Sequence, residues 1–169
     1  MSDQEERLSA SRPIAAPAAD IFRIISDPRG HVAIDASGML QSAPDTKPFT
    51  AVGDKAVIKM DREALGDFPL GKYEAEVVIT KLEKDRLIEW TVGGNLDPPI
   101  GHVYGYELAP GEEDGTTLVT SYYDWSQIHE NYRNLEFLTF PVVPDTALRQ
   151  TLGILDRVVT RNVPLEPYG

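Results

Sequence analysis

The feature that most constrains this chain is a single amphipathic stripe near its end. Leu148, Leu152, Leu155 and Val159 recur at helical spacing behind Pro144 and Asp145. That spacing predicts one long C-terminal helix with one apolar face, and Asp145 is the residue expected to cap it. Between Val52 and Trp125 most segments read as strand. Ala56, Ile58 and Met60 alternate with Lys55, Val57 and Lys59, and Tyr73, Ala75, Val77 and Ile79 alternate with polar partners. Ile88, Trp90 and Val92 share a face of a third segment, and His102 to Leu108 and Thr117 to Trp125 form a hairpin across an acidic, Gly-rich turn. A sheet with one apolar face needs a cover, and only the last helix carries a stripe long enough to provide it.

The start of the chain fits beside this. Leu8 to Ile14 reads as a first strand with Leu8, Ala10 and Arg12 on one face. Pro17 opens a short helix carrying Ile21, Phe22 and Ile25, which Pro28 closes. A second short helix is expected over Arg29 to Ile34, with Gly38 ending that region. Leu65 to Gly71 reads as a loop, and a short helix is expected around Tyr132 to Phe137. The predicted fold class is α+β: a curved antiparallel sheet wrapped around a long C-terminal helix, with two short helices after the first strand. It is expected to form one domain over residues 1–169, with 1–6 and 164–169 as loose ends.

Charge and composition narrow the partners. A formal net charge of -11 repels phosphate backbones and anionic membrane surfaces. Nucleic acid and membrane insertion are therefore not expected, and the plain alternative is that the charge serves solubility. With no cysteine, disulfides, thiol nucleophiles and thiolate metal sites are excluded. The polar N-terminus lacks a signal-peptide pattern and no apolar run approaches a membrane span, so a cytoplasmic location is expected. The three histidines have no metal-ligand spacing, and no Walker A, GxGxxG or GxSxG motif occurs. No metal and no cofactor is expected.

The ordered series of segments has a resemblance. SASRPIAAPAADIFRII at Ser9 to Ile25 with Ser26-Asp27-Pro28, Ile79 to Glu83 with Leu87 to Trp90, and Tyr106-Glu107-Leu108 leading to Gly115-Thr116-Thr117 resemble SRPBCC (START-like, polyketide cyclase/dehydrase) proteins. Asp27 to His31, Ile34 to Gly38 and Tyr123 to Ser126 look like a bacterial, actinobacterial subgroup. The resemblance implies the helix-grip fold, which leaves a cavity between sheet and helix. It spans lipid carriers, receptors and cyclases, so it implies no single reaction. Val103, Gly105 and Ala36 depart from its pattern, the first two on the fifth strand, where a changed outer face or a wider mouth is expected.

The expected ligand is a small hydrophobic molecule such as a lipid, a sterol-like compound or an aromatic polyketide. It would be held by Met60, Trp90, Tyr104, Tyr106, Thr120, Tyr122, Leu148, Leu152 and Leu155. If Leu108 opposes Leu118 in the hairpin, then Tyr106 faces Thr120, Tyr104 faces Tyr122, and His102 faces Asp124 on one face. A carboxylate beside an imidazole makes a general base, and Tyr104 or Tyr122 would donate to a developing enolate. On that reading the protein is a cyclase or dehydratase with His102, Asp124 and Tyr104 as its site. The alternative is that His102 and Asp124 only satisfy each other at the sheet edge. Trp90 is expected as core or cavity wall, His31 as a gate or a helix cap, and His129 as solvated. A monomer and a homodimer are both compatible with the sequence.

Overall fold

In the computed structural model, residues 5–44, 47–63, 71–93, 96–133, 135 and 139–165 are described. The expected loop over 65–71, apart from Gly71, and residues 134, 136 and 137 of the expected helix over 132–137 lie outside them. The order is β1 (Arg7–Ile14), α1 (Ala18–Ile25), α2 (Pro28–Ile34), β2 (Leu40–Ser42), β3 (Lys55–Asp61), β4 (Lys72–Glu83), β5 (Leu87–Val92), β6 (Val103–Pro110), β7 (Thr117–Asp124) and α3 (Asp145–Thr160). A 3-10 turn at Glu130–Tyr132 precedes α3. The strands form one antiparallel sheet in the order β1-β7-β6-β5-β4-β3-β2, and α3 packs chiefly over its β1–β7 end. This is the helix-grip arrangement. No helix among the described residues is long and apolar enough to cross a membrane.

The period-two segments behave as their patterns dictate. Ala56, Ile58 and Met60 are buried on β3, and Ala75, Val77 and Ile79 on β4, while their neighbours are more accessible. The α3 stripe also buries Leu148, Leu152 and Leu155, but Val158 closes it in place of Val159. Asp145 is the first helical residue, not the cap. Pro144 holds the cap position without a side-chain bond, and Asp145 pairs one turn on with Arg149 at 3.4 Å. Pro28 does more than end α1. It occupies the first turn of α2, whose true cap is Asp27, accepting from the Arg29 amide at 2.9 Å. The edge strand β2 has no counterpart in the sequence reading, because three residues are too few for a period to register.

The hairpin register differs from expectation by one residue. Leu108 opposes Val119, so Tyr104 faces Tyr123, Tyr106 faces Ser121 and Gly105 faces Tyr122. The LVTSYY run offers an apolar residue in either phase, so alternation alone does not choose between them. The turn does choose: Gly111 donates to the Thr116 carbonyl at 3.0 Å, which seats Pro110 opposite Thr117. Val119 and Tyr123 are then fully buried, whereas Leu118 is 38% exposed.

Slipping by one residue sends Tyr122 to the convex face, where Gly105 makes room for it. A Cβ at Gly105 would lie 2.6 Å from Tyr122 Cε1. Through that gap the Tyr122 hydroxyl reaches across and donates to Glu89 Oε1 at 2.9 Å. Thr80 donates to the other Glu89 oxygen at 2.7 Å, and the Arg7 guanidinium lies 4.1 Å from the Tyr122 ring centre. Gly105 thus leaves room on the outer face for the Tyr122 ring. Tyr122→Phe leaves the buried Glu89 carboxylate short of a donor. It should lower unfolding free energy by about 1–3 kcal/mol in urea titrations, with no change in binding to the concave side. A change in cavity binding would place the ring inside.

Candidate functional site

The space between α3 and the concave face of β3–β6 is a cavity of about 650 Å³. Its walls are apolar for the most part, with Ile58, Met60, Ala75 and Val77 from the sheet and Ala147 and Leu148 from the helix. An aromatic row crosses it. His31 packs on Trp90 with ring centres 4.5 Å apart, Trp90 stacks on Tyr104 at 5.8 Å, and Tyr104 meets Tyr123 at 4.5 Å. Strand alternation and the register of β5, β6 and β7 generate the Trp90–Tyr104–Tyr123 part of the row, since Trp90 pairs with Tyr104 and Tyr104 with Tyr123.

The polar part of the cavity is a chain of neutral groups. His102 Nε2 meets the Val92 carbonyl at 3.1 Å. A carbonyl only accepts, so the proton is on Nε2 and Nδ1 is an acceptor. Tyr123 therefore donates its hydroxyl to Nδ1 at 2.6 Å. Tyr104 packs against the Tyr123 ring with centres 4.5 Å apart, and Tyr106 stands opposite Ser121 on the neighbouring strand. Burial pulls His102 down to about 4 against the milder upward pull of Val92, so the ring is neutral at physiological pH. Burial also pushes the phenols of Tyr104, Tyr106 and Tyr123 well up. They remain protonated donors.

Of the residues expected here, Met60, Trp90, Tyr104, Tyr106, Leu148 and His102 line the cavity. Thr120, Tyr122 and Asp124 do not present their side chains to it. Thr120 bonds Ser11 across the outer face at 2.8 Å. Tyr122 borders the cavity, but its ring stands on the far side over Gly105. Asp124 faces Val103, accepts from the Ser126 hydroxyl at 2.6 Å and lies 3.6 Å from Arg7. Burial works to raise its pKa, but the Ser126 bonds and the Arg7 charge hold it below the usual range. The His102–Asp124 dyad is therefore not formed. The one-residue register shift puts the two side chains on opposite faces, and Tyr123 takes the carboxylate's place. Leu152 and Leu155, 1% and 0% exposed, lie in the core under α3 instead of on the cavity wall.

His31 is not a gate but serves, as the second reading expected, as a cap at the C-terminal end of α1, whose last residue is Ile25. It is 5% exposed, donates from Nε2 to the Ile25 carbonyl at 2.6 Å and forms cavity wall. His129 is exposed and accepts from the Asn131 amide. Sequence reasoning missed Tyr123, Arg62, Tyr73 and Asp35, all but the first on the cavity wall. For Arg62 the signal existed: the inward phase of Ala56, Ile58 and Met60 continues to it. Asp35 accepts from the Ser37 and Leu40 amides at 3.0 and 2.9 Å, shaping the turn into β2 at the same wall.

No family model matches the chain. An uncharacterized protein of Mycobacterium tuberculosis is 32% identical over 102 residues, covering 60% of this chain and 40% of the relative. Among solved structures, a protein of Deinococcus radiodurans superposes with a TM-score of 0.62 at 17% identity, covering 93% of this chain and 99% of its own. A norcoclaurine synthase point mutant from Thalictrum, in complex with a transition-state analogue, superposes with a TM-score of 0.60 at 17% identity, covering 96% and 98%. At such identities the likeness carries the fold and nothing finer.

Proposed function

We propose that the protein binds a small lipophilic molecule with one polar end, such as a lipid or an aromatic polyketide, between its sheet and α3. The observation that supports this is the cavity itself. Protein interiors pack to crystal density with few voids larger than a water, whereas about 650 Å³ falls in the range of small-molecule sites. The body of the ligand would lie against Met60, Trp90 and Leu148. The polar end would meet Tyr104, whose ring packs on Tyr123, the phenol bonded to His102.

The cyclase or dehydratase reading draws support from the fold shared with norcoclaurine synthase and from the Tyr104 hydroxyl at the polar end. It no longer has a carboxylate behind His102, whose acceptor nitrogen is already taken by Tyr123. Placing the chain in an actinobacterial subgroup rests on the mycobacterial relative, of which the match spans 40%.

Filling the space tests the binding reading. Ala75, 7% exposed, lies on the cavity wall, and Ala75→Phe puts a ring into open volume. Affinity for a fluorescent lipophilic probe should fall by at least about ten-fold while the melting temperature stays level or rises. Undiminished probe binding by a folded Ala75→Phe protein would locate the ligand elsewhere.

A further inference from the structure

Resting on that reading, we propose that the ligand carries a hydroxyl group, alcohol or phenol, that donates to Nδ1 of His31 and accepts from the Trp90 indole N–H. His31 is 5% exposed and lines the cavity. Its Nε2 gives its proton to the Ile25 carbonyl at 2.6 Å. A neutral imidazole has one N–H, so Nδ1 holds a lone pair. Burial pulls the pKa of the ring down, which keeps that lone pair unprotonated at neutral pH. No hydrogen bond reaches Nδ1 from the described residues. Yet no buried side-chain nitrogen or oxygen among those residues lacks a partner. Nδ1 is therefore not sealed in protein but open, and the space that His31 lines is the cavity.

Trp90 stands in the same position. It is 9% exposed and lines the same cavity. Its Nε1–H makes no hydrogen bond among the described residues, so it too is open. The two ring centres lie 4.5 Å apart. A bare acceptor beside a bare donor matches a hydroxyl, which gives one hydrogen bond and takes another. An ether or a carbonyl can only take, and an ammonium can only give. Two other acceptors of the cavity wall are already engaged. The Asp35 oxygens accept from Ser37 and Leu40, and His102 Nδ1 takes the Tyr123 proton. In the aromatic row His31 and Tyr104 flank Trp90. The hydroxyl at His31 is thus a second polar point of the ligand, separate from the end that meets Tyr104.

The test uses 2-naphthol and 2-methoxynaphthalene, titrated into the full chain at neutral pH. Methylation removes the donor and leaves the oxygen and the aromatic body. The wild type should bind the naphthol more tightly by roughly three- to ten-fold, the worth of one hydrogen bond. His31→Phe should erase that preference while the affinity for 2-methoxynaphthalene barely moves. Equal affinities in the wild type, or a preference that survives His31→Phe, overturn the proposal and leave the cavity reading standing. Failure of both probes to bind sinks the cavity reading and this proposal with it. A second measurement needs no variant, so it holds however His31→Phe folds. The 15N resonance of His31 Nδ1, recognised by the contact of its ring with Trp90, should move upfield towards the protonated position on saturation with 2-naphthol. It should stay in place with 2-methoxynaphthalene. A resonance that stays in place with naphthol bound refutes the placement.

Discussion

Taking the protein from neutral pH down to 4 should remove about 3 kcal/mol of folding stability through His102 alone, at 1.36 kcal/mol for each unit of pKa difference. The unfolded chain protonates this imidazole near its ordinary 6.5, while burial beside Tyr123 and Val92 holds it at about 4 in the folded protein. A depressed folded pKa means that the unfolded state takes up more protons between those values. The stabilisation is complete above 6.5 and is lost as the pH falls towards 4. His31 adds a loss of the same sign, since burial lowers its pKa too. Asp27 and Asp124 sit below 3.8, so their losses begin at the acid end of this window. Urea denaturation at a series of pH values measures the slope, and His102→Gln should flatten it between 6.5 and 4. An unchanged slope in that variant would remove His102 as its source.

Gly30→Ala is expected to destabilise the protein by roughly 3 kcal/mol or more, as forced overpacking against rigid neighbours does. The same exchange in an exposed helix interior stabilises by about 0.5–1 kcal/mol. The sign reverses because α2 crosses the last turn of α1 at this residue. A Cβ on Gly30 would run into the Ile24 backbone, 2.8 Å from its carbonyl carbon and closer still to the oxygen. Backbone cannot turn aside as a side chain can. The helices would have to part, drawing His31 from its bond to Ile25 and off the face of Trp90. Gly153 on α3 provides the control. A Cβ there would meet only Arg12 Nη1 at 3.8 Å, an ordinary contact, so Gly153→Ala should be neutral or stabilising. Thermal or urea unfolding of the two variants side by side decides the matter. A Gly30→Ala protein as stable as the wild type would mean that the helices do not meet as described.

Both predictions concern the walls of one cavity. His31 and His102 lie toward opposite ends of the aromatic row through Trp90 and Tyr104. Protonating either one places a charge where the present wall is neutral. Acid should therefore loosen the ligand site as it loosens the fold, because the same buried imidazoles serve both.

The amino-acid sequence alone determined the architecture. Alternation on β3, β4 and β5 and the stripe of Leu148, Leu152 and Leu155 are local periodicities, and each states which face of its own element must be covered. That was enough to foresee a sheet gripping a helix, and to place Met60, Trp90, Tyr104, Tyr106 and Leu148 around a space between them. Pairing is not local. Residues 117 to 124 carry apolar side chains in both phases, so their pattern is consistent with either register. The closing of the Gly111–Thr116 turn, the room over Gly105 for the Tyr122 ring and the burial of Tyr123 selected one of them. That choice alone separated His102 from Asp124 and gave the imidazole a phenol as its partner in place of a carboxylate. The approach of α2 to α1 at Gly30 was likewise decided in three dimensions, because it depends on how the two short helices pack, which no local period states.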